Sequence, residues 1–358
     1  MRSIECIVLC LFVSLFNSSV SILRIPKYDG NPYHIDELPP NVPKIVHLVH
    51  VPKSGGSSFG IILKRLLSVY FVYNISLPSE LQGCTTASHV DGNGHVISCG
   101  KTLKEVYDTP RCHLLIGCVY DHRPYLHYLD KPTMERISVT MLRHPVSRLA
   151  SAYYHGFPHT GIRTRGCGKP PKCISFEEFV SRETFRNMAV RMFGLNQHPL
   201  DLARIPDKST NTIPPVTDEN LSVAMSNLKK FQFVGLHEAY YTSFKLMFAV
   251  LKWGQPQYNL LNPLNSNDCR FGQEYLCSIM ATKNVKVAYH SFITHLKQNV
   301  SFSSYIKQHH DMDIQLYNFA KKIFCAQLHQ FYDVVLLGDE KALKEIANYR
   351  LCPDLRMP

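Results

Sequence analysis

Residues 44–51, KIVHLVHV, run without a break into His50-Val51-Pro52-Lys53-Ser54-Gly55-Gly56-Ser57-Ser58-Phe59, and this junction restricts the chain more than any other feature. The first part is a short, β-branched, mostly apolar run, the pattern of a strand covered on both faces. After Ser57, apolar residues recur at Phe59, Ile62, Leu63, Leu66, Leu67 and Tyr70, the spacing of one helical face. A strand that enters a helix through two glycines can bring its backbone close to a ligand and adopt unusual dihedrals. Successive N–H groups and a helix N-terminus then make an anion site. Ser57 and Ser58 can cap the helix and donate from their hydroxyls, and Lys53 adds a point charge. The nucleotide-triphosphatase loop GxxxxGK[ST] differs: its lysine follows the glycines and its Ser/Thr holds magnesium. Here the lysine comes first, which disfavours a nucleotide kinase.

The same grammar continues downstream. HLLIGCV (113–119), RISVTML (136–142) and FQFVGL (231–236) read as further strands. Val146, Leu149, Ala150 and Tyr153 mark a second helix, and Ile314, Tyr317, Ala320, Phe324, Leu328 and Phe331 a long third one. Alternating strands and helices predict an α/β domain with a P-loop-like parallel sheet flanked by helices. A second polar element, Arg143-His144-Pro145-Val146-Ser147-Arg148-Leu149-Ala150-Ser151, follows the third strand. Ligands of open α/β sheets gather at strand ends, and Pro145 suits a first helical turn. Arg143 and Ser151 are eight residues apart, a spacing that does not by itself place them on one ligand.

Charge and cysteine usage bear on partner and compartment. Lys plus Arg is 39 and Asp plus Glu 28, a net charge of +11, which suggests an anionic partner. With 45% hydrophobic and 19% charged residues, the 358-residue chain is neither disordered nor fibrous. Residues 6–23, CIVLCLFVSLFNSSVSIL, carry no charge and fit either a signal peptide or a signal-anchor. Either sends the remainder into a secretory lumen, where nucleic acid is not a partner and the membrane is met only through this segment. Ten cysteines follow it, and an even count in an oxidising compartment suggests disulfides. Cys167/Cys173 and Cys269/Cys277 are close-neighbour candidates, without the sequence deciding the pairing. Asn74, Asn220 and Asn299 begin acceptor sequons, to be glycosylated only where exposed. The expected organisation is a signal segment over 1–23, a Pro/Asn/Asp-rich stem over 24–43, one domain over 44–340 and a C-terminal tail over 341–358. The sequence shows no compelling metal cluster. The loop at 158–173 carries Arg163, Arg165, Lys169 and Lys172, which could hold an acidic glycan or simply face solvent.

The loop and the arginine element together resemble the sulfotransferases that use 3′-phosphoadenylyl sulfate, most nearly the heparan-sulfate 6-O-sulfotransferases. Four further stretches carry the likeness: SVTMLRHPVSRLASAYYHG (138–156), FRNMAVRM (185–192), FQFVGLHE (231–238) and DMDIQLYNFAKKIF (311–324). The resemblance implies a sulfotransferase fold, Golgi-lumenal placement as a single-pass type II protein (or secretion after cleavage), 3′-phosphoadenylyl sulfate as co-substrate, no metal, and an acidic polysaccharide as acceptor. It implies that Pro52, Lys53, Ser54, Gly55, Gly56, Ser57, Ser58 and Phe59 form the 5′-phosphosulfate loop. Lys53 then sits by the bridging oxygen, while Arg143 and Ser151 take the 3′-phosphate. His155, four residues after Ser151 and on the same helical face, would contact the acceptor.

The chain departs from that pattern in three places. The family's catalytic histidine is not at the expected step of Gly117-Cys118-Val119-Tyr120-Asp121-His122-Arg123-Pro124-Tyr125, but a one-residue insertion puts His122 there as general base, with His113 and His127 as rivals. His144 replaces an acidic residue usual after the arginine, which removes an orienting carboxylate. The family's C-terminal donor-binding turn has no counterpart that can be placed between 260 and 305. Two other readings stay open. One keeps the donor with tyrosine, a small alcohol or another glycan as acceptor; the other is an inactive glycan-binding relative.

Overall fold

The computed structural model describes residues 45–55, 59–60, 63, 85–87, 89–90, 96–97, 114–116, 136–155, 176–182, 185–195, 213–253 and 300–355. All of these lie in one compact unit, Ile35–Pro358. The IVHLV run forms β1 (Ile45–Val49), buried at every position. It is buried because it lies mid-sheet, paired in parallel with β5 (Leu114–Ile116) on one side and β6 (Arg136–Leu142) on the other. β6 pairs in parallel with β7 (Phe233–Leu236). β2 (Thr85–Ala87) joins β5 antiparallel at the opposite edge. The order is β2-β5-β1-β6-β7, and β3 (His89–Val90) with β4 (Val96–Ile97) makes a separate antiparallel pair. The four strands expected from sequence are therefore the four parallel strands.

Among the described residues, helices pack around this sheet: α1 (Pro145–His155), α2 (Phe176–Ser181), α3 (Met188–Gly194), α4 (Asp218–Leu228), α5 (Tyr240–Val250), α6 (Val300–Gln330), α7 (Tyr332–Val335) and α8 (Glu340–Tyr349). Phe59, at the start of the helix after β1, packs against Phe233 of β7 and Phe244 of α5, with ring centroids 6.1 and 5.1 Å apart. A second apolar cluster joins α1, α2, α3 and α6 through Leu149, Phe176, Phe179, Phe185, Met188 and Ile306. The long helix read from Ile314 to Phe331 begins earlier, at Val300, and bends at His310, where φ is −132°. There the buried imidazole is within hydrogen-bond distance of the Val180 carbonyl, Nε2 to O 3.2 Å. Burial and the charge of Arg148 push His310 down to about 3, so the ring is neutral.

Helix α4 begins with a capping box: the Thr217 hydroxyl accepts from the Asn220 N–H, and the Asn220 side chain accepts from the Thr217 N–H. The side-chain oxygen of that sequon's Asn220 is thus engaged at the helix start. Asn74 and Asn299 lie outside the described residues.

The expected tail, 341–358, is folded onto the domain as far as it is described, to Leu355. Asp339 caps α8, accepting from Ala342 N–H at 3.0 Å, and also pairs with Lys245 at 2.7 Å. Glu345 accepts from the Thr242 N–H and hydroxyl at 2.9 and 2.8 Å. Ala342, Ile346 and Leu351 are buried. A disulfide, Cys325–Cys352, ties α6 to the residues after α8. Spacing had pointed to nearer neighbours, and Cys167, Cys173, Cys269 and Cys277 lie outside the described residues, as does the apolar segment 6–23. Among the described residues no helix is long and apolar enough to cross a membrane. The bridge closes a loop with a sequence separation of 27. Cys352→Ser is expected to lower unfolding stability by about 3 kcal/mol, read as a shift of the urea midpoint under oxidising conditions.

Candidate active site

The turn after β1 has the geometry its glycines foreshadow. The Ser54 N–H donates to the Val51 carbonyl at 3.2 Å, and the Phe59 N–H donates to the Gly55 carbonyl at 3.0 Å, opening the helix. Lys53 and Gly55 both have positive φ, 65° and 82°. For a lysine that conformation is strained, and strain of this kind persists where the surroundings over-determine it. Gly55 is required twice over. Besides its φ, a Cβ there would lie 2.6 Å from Cδ2 of His237. The Ser54 Oγ is buried without a hydrogen-bond partner, at a cost of about 1–3 kcal/mol. An oxygen-rich ligand would relieve that cost.

β1 and β6 are adjacent and parallel, so both lead toward the same edge of the sheet, β6 running two residues past the partner of Val49. Val49 is in register with Thr140, and the Thr140 hydroxyl donates to the Val49 carbonyl at 2.8 Å. Arg143, just past the end of β6, is thereby delivered to the turn. Its Nη1 donates to the Lys53 carbonyl at 3.2 Å. The two motifs, separated by 90 residues, line one cavity whose walls include Val51, Ser54, Arg143, Arg148, Asp313 and Tyr317. Burial and the Arg143 charge bring the Lys53 amine down to about 8. Two cations thus lie close enough for one to disfavour the charge of the other, beside the buried Ser54 hydroxyl.

Around this lies a rigid polar frame. Arg148 of α1 and Asp313 of α6 form a buried ion pair at 3.1 Å. Burial pushes the Asp313 carboxyl up and the Arg148 guanidinium down, and their attraction opposes both shifts. Asp313 Oδ1 also accepts from the Val190 N–H at 3.1 Å, and the Asp313 N–H donates to Asn187 Oδ1 at 3.2 Å. After β7, His237 sits against the turn, its ring 5.9 Å from that of Tyr240. Burial and Arg143 hold it at about 3, hence neutral. Its neighbour Glu238 accepts from the His144 N–H and from the Tyr317 hydroxyl, each at 3.0 Å.

Of the residues singled out in the sequence, Pro52, Lys53, Ser54 and Gly55 are thus brought to Arg143. Phe59 follows them in the chain, but its ring is committed to the core and its N–H to Gly55. Ser151 is buried in α1 at 5% exposure, roughly 12 Å along the chain direction from Arg143, and is not among the residues lining the cavity. His155 is the last residue of α1, and its side chain lies outside the described set, as do Gly56, Ser57, Ser58 and His122. Among the described residues no group of three or more His, Cys, Asp or Glu is placed to hold a metal ion.

Arg148, Asp313, His237, Glu238 and Tyr317 were not picked out by motif reasoning. Their signal was present, because each falls in one of the four stretches that carried the family likeness. Those stretches converge here through the bonds just described. Removing one member of the buried pair leaves an uncompensated charge. Asp313→Ala is expected to cost about 3–5 kcal/mol in urea unfolding, whereas Arg148→Met with Asp313→Leu recovers most of that loss.

The sequence model of the sulfotransferase family matches residues 43–351, while no curated protein matches the chain at a significant level. The matched span takes in the turn, Arg143, the α1–α6 ion pair and Glu238, and the parallel sheet with its covering helices fits the α/β fold of that family. The chain belongs to the sulfotransferase family.

Proposed function

We propose that the protein transfers a sulfuryl group from 3′-phosphoadenylyl sulfate to a hydroxyl of an acidic glycan, heparan-sulfate-like and at the 6-O position, in the Golgi lumen. The observation that carries the donor is the Arg143 bond to the Lys53 carbonyl, beside a cavity that Ser54 of the turn and Arg143 both line. An orphaned hydroxyl, a glycine-only cradle and two facing cations suit a phosphosulfate anhydride at one end and a 3′-phosphate at the other. Ser151 completes the 3′-phosphate grip on this reading, and Gly56, Ser57 and Ser58 complete the loop. The net charge of +11 and the patches of likeness to 6-O enzymes support the acceptor. The apolar 6–23 segment and the Cys325–Cys352 bridge support a secretory compartment.

The chemistry is an in-line displacement. The acceptor oxygen forms a bond to sulfur as the bond from sulfur to the bridging oxygen breaks, and His122 takes the hydroxyl proton. The leaving group is adenosine 3′,5′-bisphosphate. Lys53 offsets the charge that grows on its 5′-phosphate, and His155 orients the acceptor sugar. Positioning and electrostatics carry most of the acceleration.

Full-length protein is expected to bind adenosine 3′,5′-bisphosphate by calorimetry; no binding at millimolar nucleotide would remove this reading. Labelled donor offered with desulfated glycans, tyrosine peptides and small alcohols should mark the glycans. Nucleotide binding with incorporation into none would favour an inactive glycan-binding relative. His122→Ala is expected to abolish transfer and keep nucleotide affinity, while unchanged turnover would move the base to His113 or His127.

Lys53 predicts a pH dependence of defined sign. Below its value of about 8 the amine is charged and attracts the donor; above it the free protein loses that charge. kcat/KM for the donor should therefore fall as pH rises through about 8, since it reports the free enzyme. Lys53→Arg, charged throughout, should flatten that limb.

A further inference from the structure

The residue after Arg143 is His144, so the chain supplies no carboxylate of its own at that point, and α1 has no acidic residue in its first turn. The structure supplies one from elsewhere. The short 3-10 turn after β7, His237–Ala239, carries Glu238 to the start of α1. One carboxylate oxygen accepts from the His144 N–H, and the other from the Tyr317 hydroxyl of α6. The His144 ring also lies edge-on to Tyr317, with centroids 5.3 Å apart at 79°. His144 is thus gripped through its backbone and its ring, and both grips lead to Tyr317. A negative charge is favourable at a helix N-terminus. Burial and the Glu238 charge push the Tyr317 phenol up, so it stays protonated and donates.

We propose that Glu238 is the positioning residue for Arg143: by fixing the His144 backbone it sets the direction in which the guanidinium leaves β6, toward the Lys53 carbonyl and the 3′-phosphate of the nucleotide. This rests on the function proposed above. Glu238 need not touch the ligand; its effect passes through one peptide unit. The specific consequence is that it governs affinity for the 3′-phosphate and leaves the 5′ end, held by the loop, largely untouched.

The test uses the full chain with Glu238→Ala, Glu238→Gln and Tyr317→Phe. Calorimetry compares adenosine 3′,5′-bisphosphate with adenosine 5′-phosphate, alongside thermal unfolding. Glu238→Ala should weaken the bisphosphate about tenfold or more and change the monophosphate by less than about twofold, the size expected for losing a charged hydrogen bond. Glu238→Gln should restore most of the affinity, because its amide oxygen still accepts from the His144 N–H. Tyr317→Phe, which removes a single hydroxyl and carries the test if Glu238→Ala fails to fold, should shift the bisphosphate alone and by less. Equal weakening of both nucleotides, or no change in either, overturns the proposal. Wild-type protein that binds neither nucleotide overturns the underlying function and this inference with it.

Discussion

Lys53 and Arg143 are held close together although their charges repel, and this constraint organises the rest of the molecule. Nothing local to either residue would bring them together, since 90 positions separate them. The parallel register of β1 against β6 does so, with Thr140 bonded to the Val49 carbonyl so that both strands lead to the same side of the sheet. Burial, and then that repulsion, lower the Lys53 amine. The anionic donor proposed above would bring negative charge to such a pair and an acceptor to the buried Ser54 hydroxyl beside it. The strained lysine backbone and the glycine forced by His237 are the local consequences of packing that turn against a strand end.

The frame behind the cavity is built differently. Arg148 and Asp313 neutralise each other, and the remaining carboxylate capacity of Asp313 is taken up by backbone N–H groups near α3. Buried pairs of this kind are rarely efficient stabilisers, because desolvation consumes much of the attraction. Their value lies in geometry. Asp313 is bonded to α1 and to the α3 region at once, so α1, which begins two residues after Arg143, cannot shift independently of α6. Glu238 and Tyr317 tie the same helix start to β7 and α6. Every element that aims a charged group at the cavity is therefore cross-braced to at least one other.

Much of this was legible in the sequence, and the boundary follows the range of the interaction. β1, β5, β6 and β7 announced themselves through short, mostly apolar runs, and the turn announced itself because glycine tolerates the positive φ found at position 55. Arg143 was found by its place at a strand end. Asp313 and Glu238 were not assigned roles, because a carboxylate's partner 94 or 165 residues away leaves no periodic trace. The Cys325–Cys352 bridge was missed because proximity in sequence is a poor guide where the chain turns back after α6 and α8 precedes the second cysteine. Phe59 has a packing role that its motif does not announce. A motif places it in the donor loop, yet its ring completes the aromatic packing under β7. The C-terminal residues looked like a tail because α8 is short and strongly polar, and its attachment depends on Glu345 and Asp339 finding partners on α5.

The bend in α6 carries one last consequence. His310 divides α6 into two arms, one running back toward Val300 with Ile306 in the α1–α2 cluster, the other carrying Asp313 and Tyr317. Asp313 and Tyr317 stand three and seven residues past it, roughly 4.5 and 10 Å along the axis. A swing of the early arm about that bend would carry its far end much farther than either of them. Movement where the helix begins can thus be absorbed before it reaches the groups that brace the cavity.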